Sequence, residues 1–247
     1  MVAVRADAAP RERKDRMMQY RTWRGRQWVA RVEATLDGVN PPLRRVMEVD
    51  STLSVYDFHT VLQVAFGWND SHLHEFRPGH QHTDKPWPTN SPPIELVFTD
   101  TLDPERDDAW WVEAIDEQES TVGQLFAVGR GFATYVYDFG DYWIHSLTLV
   151  DATEPDNGTP QARVTAGQGA SALDDVGGAA GLTDLFATLH DPTHRFHTEA
   201  WSEIKRLHPS QPLGYDLGTQ SLSAGTQDIQ EVNEVLLRMF GVILPEA

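Results

Sequence analysis

The sequence predicts an α+β fold with a helical C-terminal part. Two kinds of pattern predict it: short stretches in which apolar and polar residues alternate, as in half-buried strands, and longer stretches with apolar residues at helical spacing. The chain has 247 residues, which suits one large domain or a domain with an appended part. No apolar stretch approaches the ~20 residues that a transmembrane helix needs, so we expect no membrane contact.

The first predicted elements are two strands joined by a turn. Residues 27–36 alternate strictly and place five apolar side chains, from Trp28 to Leu36, on one face. Residues 37–42 (DGVNPP) have the composition of a turn. Residues 43–49 then form a second strand, which we expect to pair antiparallel with the first.

A helix follows the second strand. Ser54 is a suitable N-cap, Asp57 favours the first turn through the helix dipole, and Gly67 can take the left-handed conformation that ends a helix. Between these residues, apolar side chains recur at helical spacing from Phe58 to Phe66. The stretch therefore predicts a helix with one apolar face.

The middle of the chain carries the remaining predicted strands. They are residues 71–77, residues 94–98, two strands joined by a turn within 132–150, and a short strand at the start of 162–181. Further on, the sequence predicts helices at 182–190, 192–207 and 226–241. We divide the chain into a flexible basic arm (1–24), an α+β domain (25–208), and a linker with a C-terminal helix (209–247).

The charge is spread unevenly along the chain. The formal net charge is −17, yet the first 26 residues hold eight basic and three acidic residues, so the remainder carries −22. An acidic body repels phosphate backbones, which leaves the arm as the only segment expected to contact nucleic acid. There are no cysteines, and no long apolar stretch follows the N-terminal charges as in a secretory signal. We therefore expect a cytoplasmic protein.

Four stretches are similar to motifs of a known family. They are NPPLRRVMEV (40–49), FHTVLQVAFGWNDSHLHEF (58–76), YDFGDYWIH (137–145) and GQGASALDDVGG (167–178). On these residues the chain resembles the plasmid pRiA4b ORF-3-like family, which includes TnpR-like passenger proteins of some insertion sequences. In the last stretch, Ser171 stands where the family often has cysteine, and Ala172 and Leu173 replace two prolines.

The resemblance implies a mostly antiparallel sheet with helices packed on one side. It also implies an association with mobile elements, but no settled activity. The sequence shows no serine-recombinase pattern that would support the resolvase name, and it has neither a nucleophile elbow nor a phosphate-binding loop.

Three histidines and two aspartates form the candidate metal site. His72 and His74 flank Leu73 in the predicted strand 71–77, so alternation would place both imidazoles on one face. The other three candidates are His145, Asp138 and Asp141, all in the predicted hairpin. If these groups converge, they suit zinc or a non-haem iron. The alternative is that each of them satisfies a hydrogen bond within the fold and binds no cofactor.

Aromatic residues near the hairpin are the candidate binding residues. Tyr142, Trp143 and Trp68 could line a groove for a peptide or for stacked bases, or could belong to the core. We expect Tyr142, at the turn, to be the most exposed. Taken together, the sequence predicts a mobile-element-associated binding or adaptor protein with a protein partner. The alternative is a metal-dependent, possibly hydrolytic enzyme that uses the histidine and aspartate cluster.

Overall fold

The computed structural model describes residues 26–79, 95–99, 112–207, 214–218, 220–222 and 226–244. Within these residues the strands are β1 (Val29–Leu36), β2 (Leu43–Asp50), β3 (His74–Pro78), β4 (Glu95–Phe98), β5 (Val112–Ile115), β6 (Phe132–Tyr137), β7 (Trp143–Thr153), β8 (Ala162–Gln168), β9 (Tyr215–Asp216) and β10 (Ser221–Leu222). The helices are α1 (Val55–Phe66), α2 (Val122–Val128), α3 (Gly178–His190), α4 (His197–Leu207) and α5 (Thr226–Phe240).

Eight of the strands form one sheet in the order β5-β4-β3-β6-β7-β1-β2-β8, and β9 pairs with β10 separately. Every neighbouring pair in the large sheet is antiparallel except β4 with β5, which is parallel. The predicted α+β class and mostly antiparallel sheet are therefore confirmed. The predicted antiparallel pairing of the first two strands is also confirmed, with Leu36 opposite Leu43 at the turn.

One face of the sheet forms the core with α1. Along β1, Ala30, Val32 and Ala34 are fully buried, whereas the intervening side chains are more exposed, as alternation requires. From α1, Phe58 packs on Phe76 of β3 with ring centroids 5.7 Å apart. Fully burying one such phenylalanine side chain is worth about 1.5–3 kcal/mol, so this contact holds the helix firmly on the sheet.

The predicted ends of α1 are confirmed. The Ser54 hydroxyl accepts a hydrogen bond from the Asp57 amide at 2.9 Å, and Gly67 ends the helix with φ 78°. A Cβ atom on Gly67 would lie 2.5 Å from the Cβ of Ser171, so a side chain there would collide with the segment before α3. The position needs glycine for its conformation and for this close approach.

Two predicted elements begin three or more residues later than expected, and the helix predicted at 182–190 begins four residues earlier, at Gly178. The strand predicted at 71–77 begins only at His74, which leaves His72 in the preceding loop. The helix predicted at 192–207 begins only at His197, because Asp191 Oδ1 accepts hydrogen bonds from the amide and hydroxyl of Thr193 and so forms a turn. The first of these errors matters for function, because strand alternation does not apply to His72.

The C-terminal helix α5 contacts the edge of the sheet. Asn233 Oδ1 accepts from the Val164 amide at 2.7 Å, and its Nδ2 donates to the Val164 carbonyl at 2.9 Å. After the helix, the Ile243 amide donates to the Thr159 carbonyl at 2.7 Å. Asn233 thus occupies the place of a neighbouring strand on β8, which satisfies an edge that would otherwise be open. The division of the chain at residue 208 stays a prediction.

Candidate functional site

Asp138 organises the turn between β6 and β7. Its amide donates to the Leu73 carbonyl at 2.9 Å, and its carbonyl accepts from the Tyr142 amide at 2.7 Å. Its carboxylate Oδ1 accepts from the Gly140 amide at 2.9 Å, as in an Asx turn. Asp138 and Tyr142 both have φ 57°, so the turn depends on two left-handed residues that these hydrogen bonds hold in place.

Three large apolar side chains lie exposed around this turn. Leu73 is 49%, Phe139 42% and Tyr142 47% exposed. The backbone of Asp138 forms hydrogen bonds with those of Leu73 and Tyr142, and Phe139 follows Asp138 in the chain. We call Leu73, Phe139 and Tyr142 the tip patch.

Only one of the three predicted binding residues is exposed. Tyr142 belongs to the tip patch, whereas Trp68 and Trp143 are 7% and 1% exposed. The two indoles pack against each other with centroids 4.9 Å apart, and Trp68 also packs on Tyr137 at 5.1 Å. The structure therefore places both tryptophans in the core beneath the hairpin, because sheet register turns Trp143 toward the loop after α1, in which Trp68 lies.

His145 lies in the same core layer. Its Nε2 accepts a hydrogen bond from Trp68 Nε1 at 3.2 Å, and the ring of Phe66 packs edge-on at 4.8 Å. Since Nε2 accepts, the neutral ring carries its proton on Nδ1. Burial lowers the pKa of His145 to about 3, so the imidazole is neutral at physiological pH. Its side chain is fully buried.

His74 stacks face to face on a histidine that the sequence analysis did not select. The rings of His59 and His74 lie 3.5 Å apart at 6° between planes. His74 Nε2 bonds to Glu117 Oε2 at 3.1 Å, and Glu117 is fully buried. The two imidazoles therefore belong to an interior polar network, which joins α1, β3 and the loop that precedes α2.

His59 continues this network to the surface. Its Nδ1 bonds to the Tyr135 hydroxyl at 2.8 Å and its Nε2 to Asp70 Oδ1 at 2.8 Å. Gln63 Nε2 donates to the same hydroxyl at 2.7 Å. The hydroxyl then donates to His59, which donates to Asp70, so each donor finds an acceptor. Burial raises the pKa of Tyr135 well above its usual value, so the phenol stays protonated and serves as a structural link.

His72 lies apart from the other two predicted histidine ligands. Its Nε2 is 3.7 Å from Asp138 Oδ2 and 3.9 Å from Asp175 Oδ1. Asp141, the fifth predicted ligand, lies against the start of α3, where a Cβ on Gly178 would stand 2.9 Å from its carbonyl. The structure thus brings His72 and Asp138 together, but distributes His74 and His145 to separate partners.

No ready-made metal site exists in the part of the chain that the structure describes: no three histidine, aspartate or glutamate side chains there surround a common point. His59, Glu117 and Asp175 are not among the site residues predicted from the sequence. The spacing of His59 could have indicated its place in a polar network, because His59 and Gln63 are four residues apart and share one face of α1. Asp175 also lies in one of the family-like stretches, but Glu117 had no such signal.

Comparison with known proteins agrees with the motifs. Residues 28–218 match the family model described as "Plasmid pRiA4b ORF-3-like protein". An uncharacterized protein of Sinorhizobium fredii, y4hQ, is 33% identical over 174 residues, which cover 69% of this chain and 78% of that protein.

The fold also has a solved counterpart. A protein of unknown function from Methanosarcina mazei Go1 shares it with a TM-score of 0.58 at 23% identity, over 72% of this chain and 90% of that one. No helix among the described residues is long and apolar enough to cross a membrane. The match of the family model over most of the sequence shows that the chain belongs to the plasmid pRiA4b ORF-3-like family.

Proposed function

We propose that this protein is a non-catalytic binding or adaptor protein that holds a protein partner with its tip patch. The observation that carries the proposal is the exposure of Leu73, Phe139 and Tyr142 around one hydrogen-bonded turn. The exposure of clustered apolar side chains to water is unfavourable in free energy unless another surface covers them. Tyrosine is also among the residues that contribute most to protein interfaces.

The rigidity of the turn supports the proposal. Asp138 accepts or donates three hydrogen bonds with backbone groups, and the packed indoles of Trp68 and Trp143 lie beneath. A patch that is already ordered loses little conformational entropy when a partner binds. The buried aromatic layer therefore contributes to recognition by supporting the exposed residues.

The charge around the tip favours a protein over a nucleic acid. The carboxylates of Asp138, Asp141, Asp174 and Asp175 lie in the turn or in the segment that contacts it. Carboxylates repel phosphate groups, so a nucleic acid is disfavoured at this surface. The basic arm lies outside the described residues, and its contact with nucleic acid stays a prediction.

The enzyme alternative receives less support. A metal-dependent hydrolase with His72, His74, His145, Asp138 and Asp141 as ligands needs these groups to converge where a substrate can reach them. His74 and His145 instead bond to Glu117 and Trp68 in the interior. Because the family resemblance implies an association with mobile elements, the products of neighbouring mobile-element genes are the first partners to test.

Affinity capture with the full chain tests the proposal. A Phe139→Ala/Tyr142→Ala variant should lose capture of its partner at least tenfold, because it removes two of the three tip side chains. The matched control is Tyr56→Ala, which removes a tyrosine of similar exposure (39%) on α1. The captured protein is then purified, and its affinity for each variant is measured. Equal affinity for wild type and the tip variant would refute the assignment of the patch.

A further inference from the structure

Three side chains with metal-binding chemistry lie close together beside the tip patch, and a fourth is next to one of them in the chain. They are His72 from the loop before β3, Asp138 from the hairpin, and Asp174 and Asp175 from the segment before α3. We call them the His72 cluster. It differs from the site expected from the sequence, since it keeps His72 and Asp138 and omits His74, His145 and Asp141.

The distances in the cluster do not fit hydrogen bonds. His72 Nε2 lies 3.7 Å from Asp138 Oδ2 and 3.9 Å from Asp175 Oδ1, which is longer than a hydrogen bond allows. Nε2 itself is shielded from solvent and has no hydrogen-bond partner among the described residues. A buried imidazole nitrogen that faces two carboxylates without bonding to either needs an additional partner.

The Asp138 carboxylate is fixed and aimed at His72. Its side chain is only 10% exposed, and Oδ1 is held by the Gly140 amide. The remaining oxygen, Oδ2, points toward the imidazole. One ligand atom is therefore oriented in advance by the same turn that presents the tip patch.

Asp174 adds an unsatisfied acceptor. Its Oδ2 accepts from the Asn69 amide at 3.2 Å, but its Oδ1 is buried and receives no hydrogen bond from the described part of the chain. A bound cation would supply the partner that this buried oxygen lacks.

We propose that His72, Asp138 and Asp175 bind one divalent transition-metal ion, such as Mn²⁺ or Zn²⁺, with Asp174 as a fourth ligand. One imidazole with several carboxylates suits these ions better than Mg²⁺ or Ca²⁺, which prefer oxygen ligands. Two atoms bound to the same ion at about 2.1 Å lie about 3 to 4 Å apart, which agrees with both distances from His72 Nε2.

When the ion binds, the side chain of Asp175 turns toward it and completes the set of ligands. The side chain of Asp175 is 84% exposed, so it turns without disturbing the core. This accounts for the fact that no three ligands among the described residues surround one point beforehand. The bound ion joins the loop before β3, the hairpin and the segment before α3, and so makes the tip more rigid.

Metal titration of the chelator-treated full chain tests the proposal. We expect calorimetry to show one Mn²⁺ or Zn²⁺ per chain, and electron paramagnetic resonance to detect bound Mn²⁺. Asp138→Asn and Asp175→Asn should each raise the Kd at least tenfold, and the ion should raise the melting temperature of wild type but of neither variant. Asp184→Asn is the matched control, because it removes an exposed carboxylate that lies on α3 and is not part of the His72 cluster.

Circular dichroism first establishes that each variant is folded. If Asp138→Asn does not fold, Asp175→Asn decides the question, because its side chain is at the surface. No saturable binding to wild type, or an affinity that Asp175→Asn leaves within about twofold, would overturn the proposal. The metal readout needs no partner protein, so this result is independent of whether the tip patch binds one.

Discussion

His145 shows how a residue with catalytic chemistry can serve stability alone. The fold buries its ring completely, and this burial lowers the pKa of His145 to about 3, while Nε2 accepts a hydrogen bond from Trp68. In the unfolded chain the same imidazole has its ordinary pKa of about 6.5. Below that pH the imidazole is protonated in the unfolded chain but stays neutral in the native state, so acid favours unfolding.

We predict a pH-dependent contribution of His145 to stability. Because its pKa is lowered on folding, the contribution is fully present above pH 6.5 and is lost as the pH falls toward 3, by at most about 1.4 kcal/mol per pH unit. Denaturant unfolding of wild type and His145→Leu between pH 7 and 4 measures this. The advantage of wild type over the variant should shrink at each step.

Trp68→Phe is the control for that measurement. It removes the hydrogen bond to His145 and destabilises the protein by about 1–3 kcal/mol, but it leaves the titrating group in place. Its stability should therefore fall with acid in parallel with wild type. Parallel curves for His145→Leu and wild type would contradict the assigned role of the imidazole.

At the scale of elements, the end of α1 connects two of the family-like stretches. Gly67 lies in the second stretch and its Cα hydrogens face Ser171 in the fourth. The Ala172 amide, next in the chain, donates to the Phe66 carbonyl at 3.0 Å. The residue that replaces the family's frequent cysteine thus has a packing role here, in contact with the helix end.

We predict that Gly67→Ala destabilises the protein by more than the usual ~1 kcal/mol for a left-handed alanine. A Cβ at position 67 would stand 2.5 Å from that of Ser171, which adds a collision to the backbone strain. Urea unfolding measures the loss. Gly158→Ala is the control, because Gly158 has a similar φ (82°) but open space around it.

A second variant separates strain from collision. Gly67→Ala combined with Ser171→Gly removes the Cβ that the new methyl group meets, so it should recover part of the lost stability. If the double variant loses as much stability as the two single variants, Gly67→Ala and Ser171→Gly, lose together, the collision is not the cause.

At the scale of the whole molecule, hydrogen bonds join α5 to the sheet. Asn233 contributes two hydrogen bonds to Val164 on β8, and the chain after α5 pairs with residues 158–161. These contacts join an edge strand to the C-terminal helix, which lies beyond the residues that the family model matches.

We predict that Asn233→Ala lowers global stability by about 1–3 kcal/mol, because it leaves two backbone groups of Val164 without their partner. Hydrogen exchange should show faster exchange of the Val164 amide, and unfolding should remain a single transition. Glu231→Ala, on an exposed position of the same helix, is the control. A variant with two separate transitions would mean that α5 is an independent unit.

Much of the fold could be predicted from the sequence, because local patterns encode local structure. The alternation in residues 27–36, the caps at Ser54 and Gly67, and the turn at Asp138 each depend on neighbours within a few residues. The start of β3 was misplaced because His72 has the same spacing as a strand residue, whereas Tyr137 and Asp138 bond to the backbones of Ser71 and Leu73 on either side of it.

The sequence by itself determined the α+β class, the family, the main helix and the hairpin with its exposed tyrosine. Only the tertiary structure decided which groups the histidines meet, since Glu117 is 43 residues from His74 and Trp68 is 77 residues from His145. Such pairs depend on sheet register and helix placement, which no local pattern records. The same reason explains why Asp175 comes within 3.9 Å of His72 beside the tip patch, so that the proposed metal site and the proposed partner site are neighbours.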